Sequence, residues 1–157
     1  MASRSFNVGC RRVTERFLTD EVPTLAQMDA ARAWVRAEMA PYFEALAARG
    51  FTIDRVVAVA GTATSVVAVR EAMAVYDSNR VHRAVVTSAE LRAIEESLAA
   101  LPLERRKATV GLAPKRAGVI VAGLVILEEV LDLAAADAYT VSESDILNGM
   151  ILEAASQ

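Results

Sequence analysis

The sequence is short of the residues that most often carry chemistry or staple a small fold. It has one cysteine, Cys10, and one histidine, His82. A single thiol excludes an internal disulfide framework and fits a reducing compartment such as the cytoplasm. A single imidazole excludes a histidine-based metal cluster, and the sequence around Cys10 offers no zinc-site partner. Basic residues are not in excess: the formal net charge is -3, so no global field recruits nucleic acid. No apolar stretch reaches the roughly 20 residues of a bilayer span. The greasiest run, Ala117 to Leu127, is broken by two glycines, Gly118 and Gly123, and ends at Glu128. The N-terminal "MASRSF" is not followed by the apolar region of a secretion signal. A soluble, cytoplasmic protein is the expectation, with neither membrane nor nucleic acid as partner.

What the chain does have is small aliphatic residues. Of its 157 residues 54% are hydrophobic and only 5% aromatic. Its length is that of one domain with a real core, and its composition suits helices packed closely on a sheet.

Along the chain, Ser5 to Phe17 carries the β-branched Val8 and Val13 and is expected as one strand or two short pieces. "TLAQ" (Thr24 to Gln27) has the capping-box form. It opens an apolar stripe through Leu25, Met28, Val35, Met39, Tyr42 and Leu46 that ends at Gly50. Pro41 is expected to kink or restart that helix. Arg55 to Ala60 reads as a short buried strand and Thr64 to Tyr76 as a helix. "TSAE" (Thr87 to Glu90) caps another helix running to about Leu101. A basic loop spans Arg105 to Arg116, a long apolar helix Ala117 to Ala135, and a last strand Ala138 to Val141. "SESD" (Ser142 to Asp145) has the looser capping pattern and leads into a C-terminal helix. The order β, α, β, α, α, α, β, α predicts an α/β domain, helix-rich, on a small, mainly parallel sheet covered on both faces. About three strands is fewer than usual, as if the first strands of the domain were absent.

Two stretches carry chemistry. In "VVAVAGTATSVVAV", Val56 to Val69, an apolar strand breaks at Gly61 and re-emerges as a helix. Such a turn aims free N–H groups and the helix dipole at one spot. Gly61 allows close backbone approach, and the hydroxyls of Thr62, Thr64 and Ser65 add donors. The sequence matches neither the dinucleotide fingerprint nor the P-loop, so phosphate cradle and structural corner both stand as readings. The second stretch is "RRKATVGLAPKR", Arg105 to Arg116, with five basic residues and no acidic one. Arg116, at the mouth of the long helix, has the fork geometry for a phosphate; the outer residues read as a solvated loop. Glu15, Asp20 and Glu21 cluster near the N-terminus, but nothing in their spacing encloses them as general acid–base work requires. A Cys10–His82 nucleophile pair rests on two single residues, and Trp34 reads as packing.

Five blocks carry a resemblance: "VGCRRVTERFLTDEVPT", "VVAVAGTATSVVAV", "RVHRAVVTSAELRAI", "GLAPKRAGVIVAGLVIL" and "VSESDILNGMIL". In order and spacing the chain resembles the second domain of the Ppx/GppA family, the exopolyphosphatases and guanosine pentaphosphate phosphohydrolases. The resemblance runs from about Ser5 to the end. It implies an actin-like ATPase, or ribonuclease H-like, domain truncated at its N-terminus, lacking its first two strands and the family's first domain. It also implies polyphosphate or guanosine pentaphosphate as ligand and magnesium as cofactor. Gly61, Thr62, Thr64 and Arg116 would be the phosphate- or nucleotide-binding residues. The family's catalytic glutamate belongs to the absent first domain, so no catalytic or metal-binding residue is assigned here. The chain departs from the family at Ala60, where a second glycine is usual, at Gly118, where Asp is frequent, and at Asn148, where Asp or Arg is common. The expectation is a fragment or truncated relative of an exopolyphosphatase-type hydrolase, inactive by itself. It would be completed by the missing N-terminal half or a second chain. The alternative is a non-catalytic module that homodimerises through an unfilled sheet edge.

Overall fold

The computed structural model describes residues 3–144. The expected strand over Ser5 to Phe17 is overturned in its second half. Phe6 and Val8 turn toward the core while Ser5 and Asn7 stay exposed, the alternation of a strand, yet no ladder pairs with them among the described residues. From Cys10 the backbone is helical: α1 (Cys10–Phe17). The period explains the switch. Val13 and Phe17, four apart, pack inward, while Arg11 and Glu15, also four apart, pair at 2.7 Å on the outer side.

Helix α2 (Leu25–Ala48) starts at the anticipated capping box, with Gln27 N–H donating to Thr24 Oγ1 at 3.3 Å and Thr24 N–H to Gln27 Oε1 at 3.4 Å. Met28, Ala31, Val35 and Met39 form its buried stripe. Pro41 does not restart the helix, which continues through it. The carbonyl that loses its partner is that of Ala37, an exposed residue, where water can serve it. The end is sharp. Gly50 adopts φ +76°, and the N–H groups of Gly50 and Phe51 return to the carbonyls of Ala47 and Leu46. That is the Schellman pattern, which needs a left-handed residue.

Strand β1 (Val56–Val59) leads into α3 (Ala60–Arg70), the short α4 (Ser78–Val81) and then β2 (Val85–Thr87). The sequence reading missed β2. Three residues are too few to show a period, and its last residue doubles as the N-cap of α5 (Ser88–Ala99), where Thr87 and Glu90 form the second capping box. The basic segment is not all loop: α6 (Leu103–Lys107) and a 3-10 turn, Pro114–Arg116, break it up. Gly111, at φ +87°, presses against the backbone of Ala68 in α3, an approach any side chain would block. Helix α7 (Ile120–Leu133) and strand β3 (Ala138–Ser142) follow. The C-terminal helix expected after "SESD", and Asn148 with it, lie outside the described residues.

The sheet order is β1-β3-β2, with β1 parallel and β2 antiparallel to β3. It is therefore mixed rather than mainly parallel. Helix α7 forms the hub, packing against α1, α2, α3 and α5. One sheet face meets the helices, burying Tyr139, Val141 and Val86, whereas Val57, Val59 and Val85 on the other face are about half exposed, at 55%, 47% and 54%. No helix of the described residues is long and apolar enough to cross a membrane.

Between α2, α5 and α7 lies an ionic cluster whose glutamates, Glu95, Glu128 and Glu129, are buried. Arg32 bonds both Glu95 and Glu128, the latter at 3.1 Å. Arg36 reaches Glu129 and Asp132 at 2.7 and 3.2 Å, the first without the alignment of a hydrogen bond, and Arg92 bonds Asp132 at 3.1 Å. Burial pushes the Glu95 carboxyl up to about 7, the charge of Glu128 adds to this, and Arg32 opposes it.

Candidate functional site

At the β1–α3 turn the backbone leaves Val59 in an extended conformation, and Ala60 then takes φ +67°. This left-handed conformation is strained for alanine and free for glycine. Ala60, at the position where the resemblance implies a second glycine, holds this conformation with a side chain in place. Gly61 follows, at the start of α3, where the first N–H groups have no helical acceptor.

The structure brings three of the four expected residues together. The guanidinium of Arg116 lies directly over Gly61: a Cβ on Gly61 would overlap Nη1, Cζ and Nη2. Thr64 lines the same cleft as Arg116. Thr62 does not join them. Its side chain packs under α7, where a Cβ on Gly123 would come within 2.5 Å of Thr62 Oγ1. The helical period dictates this, since Thr62 and Thr64 point to different sides of α3. The hydroxyls are also committed differently than expected, with Ser65 Oγ donating to Gly61 O at 2.6 Å and Thr64 Oγ1 to the same oxygen at 3.4 Å. They tie the first turn of α3 to itself rather than offering their protons to the cleft.

The cleft has a volume of about 500 Å³, with Met73, Tyr76, Leu112 and Pro114 among its walls. Half-buried Arg116 has no carboxylate ion pair among the described residues. Two further residues, Tyr76 and Glu143, escaped the sequence reading. The Tyr76 hydroxyl bonds Glu143, 67 positions away, with Thr64 and Arg116 close by. Burial first, and Glu143 second, push the Tyr76 pKa up to about 12. No sequence signal joins positions so far apart; only the topology does. His82 is occupied near the same end of the sheet, its Nδ1 accepting the backbone N–H of Glu143 at 3.2 Å.

The model of the Ppx/GppA phosphatase family matches residues 1–157. The chain belongs to the Ppx/GppA phosphatase family. It is 36% identical over 160 residues to exopolyphosphatase 2 of Mycobacterium tuberculosis, a match that takes in 99% of this chain and 49% of that protein. It is 37% identical over 153 residues to a bifunctional 3-dehydroquinate synthase/phosphatase of Fusobacterium nucleatum, covering 95% of this chain and 22% of that one. The chain thus spans half or less of the curated relatives it matches. Its fold superposes on the crystal structure of the Aquifex aeolicus Ppx/GppA family member with a TM-score of 0.90 at 23% identity, covering 99% of this chain and 49% of that one. An exopolyphosphatase from Cytophaga hutchinsonii superposes with a TM-score of 0.76 at 18% identity, over 91% of this chain and 46% of its own.

These matches establish the family and its actin-like fold. The magnesium that the resemblance implies does not fit the donors among the described residues. Among the described residues no three or more His, Cys, Asp or Glu side chains are grouped to hold a metal ion. Glu15 is paired with Arg11, and Asp20 and Glu21 line a different cavity.

Proposed function

We propose that these 157 residues supply one wall of a phosphoanhydride-hydrolase site and release no phosphate by themselves. The ligand is inorganic polyphosphate or the terminal phosphate of guanosine pentaphosphate. The wall is built from Gly61, the first N–H groups of α3 and Arg116, with Thr64 lining the cleft beside them. The observation that carries this reading is the Arg116 guanidinium, held over Gly61 at the start of an 11-residue helix with no carboxylate partner among the described residues. A helix N-terminus and an uncompensated guanidinium converge on one place, and both favour an anion.

The work of this wall is electrostatic. As a terminal phosphoryl group departs, charge builds on its oxygens, and positioned N–H donors with one fixed guanidinium stabilise that charge. The water-activating base and any metal belong to polypeptide outside these residues, on the facing wall of the cleft. The test is a calorimetric titration of the chain with long-chain polyphosphate at low salt. Arg116→Ala is expected to weaken binding by about 10- to 100-fold, as for loss of a charged hydrogen bond, while Arg105→Ala stays within about twofold. Absence of binding by the unmodified chain contradicts the proposal.

A second reading has its own support. Among the described residues strand β1 pairs only with β3, and Val57 and Val59 are exposed on the sheet face beside the edge left without a partner there. An open edge of this kind templates strand addition. A homodimerising module would sediment as a concentration-dependent dimer with no affinity for polyphosphate.

A further inference from the structure

Arg106, in α6, is only 5% exposed. Its guanidinium donates to the carbonyls of Leu98 and Leu101, both at 2.8 Å, and of Ala117 at 3.2 Å. A guanidinium has five N–H groups, so two remain unused. No carboxylate pairs with it among the described residues. Burial lowers its pKa, with no neighbouring charge acting in the other direction. A buried cation without a counter-ion is costly.

Two other oddities share its surroundings. Thr14 Oγ1 is buried with no hydrogen-bond partner. Gly118 is outside the left-handed region, and a Cβ placed on it would meet nothing within 4 Å. Thr14, Arg106 and Gly118 line one cavity of about 430 Å³, with Leu18 and Val121 among its apolar walls. Asp20, Glu21 and Glu104 also line it, and all three are exposed, so they stand at its mouth.

We propose that this cavity binds a monocarboxylate anion, which accepts the spare N–H groups of Arg106 and the hydroxyl of Thr14, and formate is the smallest probe of that class. An unpaired guanidinium selects a planar carboxylate by its fork. The acidic mouth repels multiply charged anions more strongly than a monoanion, which disfavours phosphate chains at this position. The open space beside Gly118 gives the anion room without displacing a side chain.

The test uses the full chain, ¹⁵N-labelled, with sodium formate titrated against sodium chloride at equal ionic strength. Formate is expected to raise the melting midpoint saturably, by about 3 °C, and to move the Arg106 Nη–H resonances, while chloride does neither. Gly118→Asp, which carries its own carboxylate into the cavity, is expected to melt higher without formate and to lose the response. Gly118→Ala should retain it. No saturable response in the unmodified chain overturns the proposal, as does a response that survives Gly118→Asp. So does the finding that Asp20→Asn or Glu21→Gln must be introduced before formate acts, which would make the counter-ion a side chain of this protein. Should Gly118→Asp fail to fold, the Arg106 resonances in the unmodified chain decide alone.

Discussion

Between α2, α5 and α7, the carboxylates of Glu95, Glu128, Glu129 and Asp132 interlock with Arg32, Arg36 and Arg92. At the β1–α3 turn, Arg116 lies over Gly61 with no such partner among the described residues. The two regions use the same residue type to opposite ends. In the helical layer each guanidinium is held by carboxylates on neighbouring helices, so it fixes how those helices sit and has little to offer a ligand. At the turn the guanidinium stands at the edge of a cleft with no carboxylate ion pair among the described residues. Closed networks mark where this chain is a scaffold, and the cation without such a network marks where we propose that it meets phosphate.

The sharpest way to break the closed side is Arg32→Ala. It leaves Glu95 and Glu128, each at most 5% exposed, without their shared cation and is expected to cost about 3 kcal/mol in urea unfolding. Polyphosphate affinity should be unaffected by that change. The same cluster predicts a pH dependence. The Glu95 carboxyl, ordinarily at 4.5, stands at about 7 in the folded chain, so the folded state holds a proton that the unfolded chain releases earlier. Its contribution is complete below pH 4.5 and is lost as the pH rises through 7, a fall of about 2 kcal/mol between pH 5 and 8. Glu95→Gln should flatten that slope.

On the open side the effects move from stability to affinity. Gly61→Ala pushes the guanidinium of Arg116 off the turn and is expected to weaken polyphosphate binding about tenfold, with the urea midpoint changed little. The smallest effect is a gain. Ala60→Gly relieves a left-handed alanine and should add about 1 kcal/mol, read as a melting point higher by about 2–4 °C.

Much of this was legible in the sequence, for identifiable reasons. Both capping boxes, the end of α2 at Gly50, the positions of β1 and β3, and the convergence of Gly61, Thr64 and Arg116 follow from local patterns or from the family resemblance. What escaped depends on non-local facts. The segment from Cys10 to Phe17 has the valines of a strand, but its apolar residues fall at helical spacing and no neighbouring strand claims them. Strand β2 exists only because β3 lies beside it. Thr62 belongs to the turn by sequence and to the core by rotation around α3. Arg106 belongs to a basic run by composition and to the interior by contact, and Tyr76 meets Glu143 only through the tertiary fold.

The most direct test of the account is phosphate release from long-chain polyphosphate by the purified chain, alone and after mixing with a polypeptide carrying the family's first domain. No release by the chain alone, release on mixing, and loss of that release with Arg116→Ala are the expected results. Turnover by the 157 residues alone, surviving Arg116→Ala, would contradict the proposal.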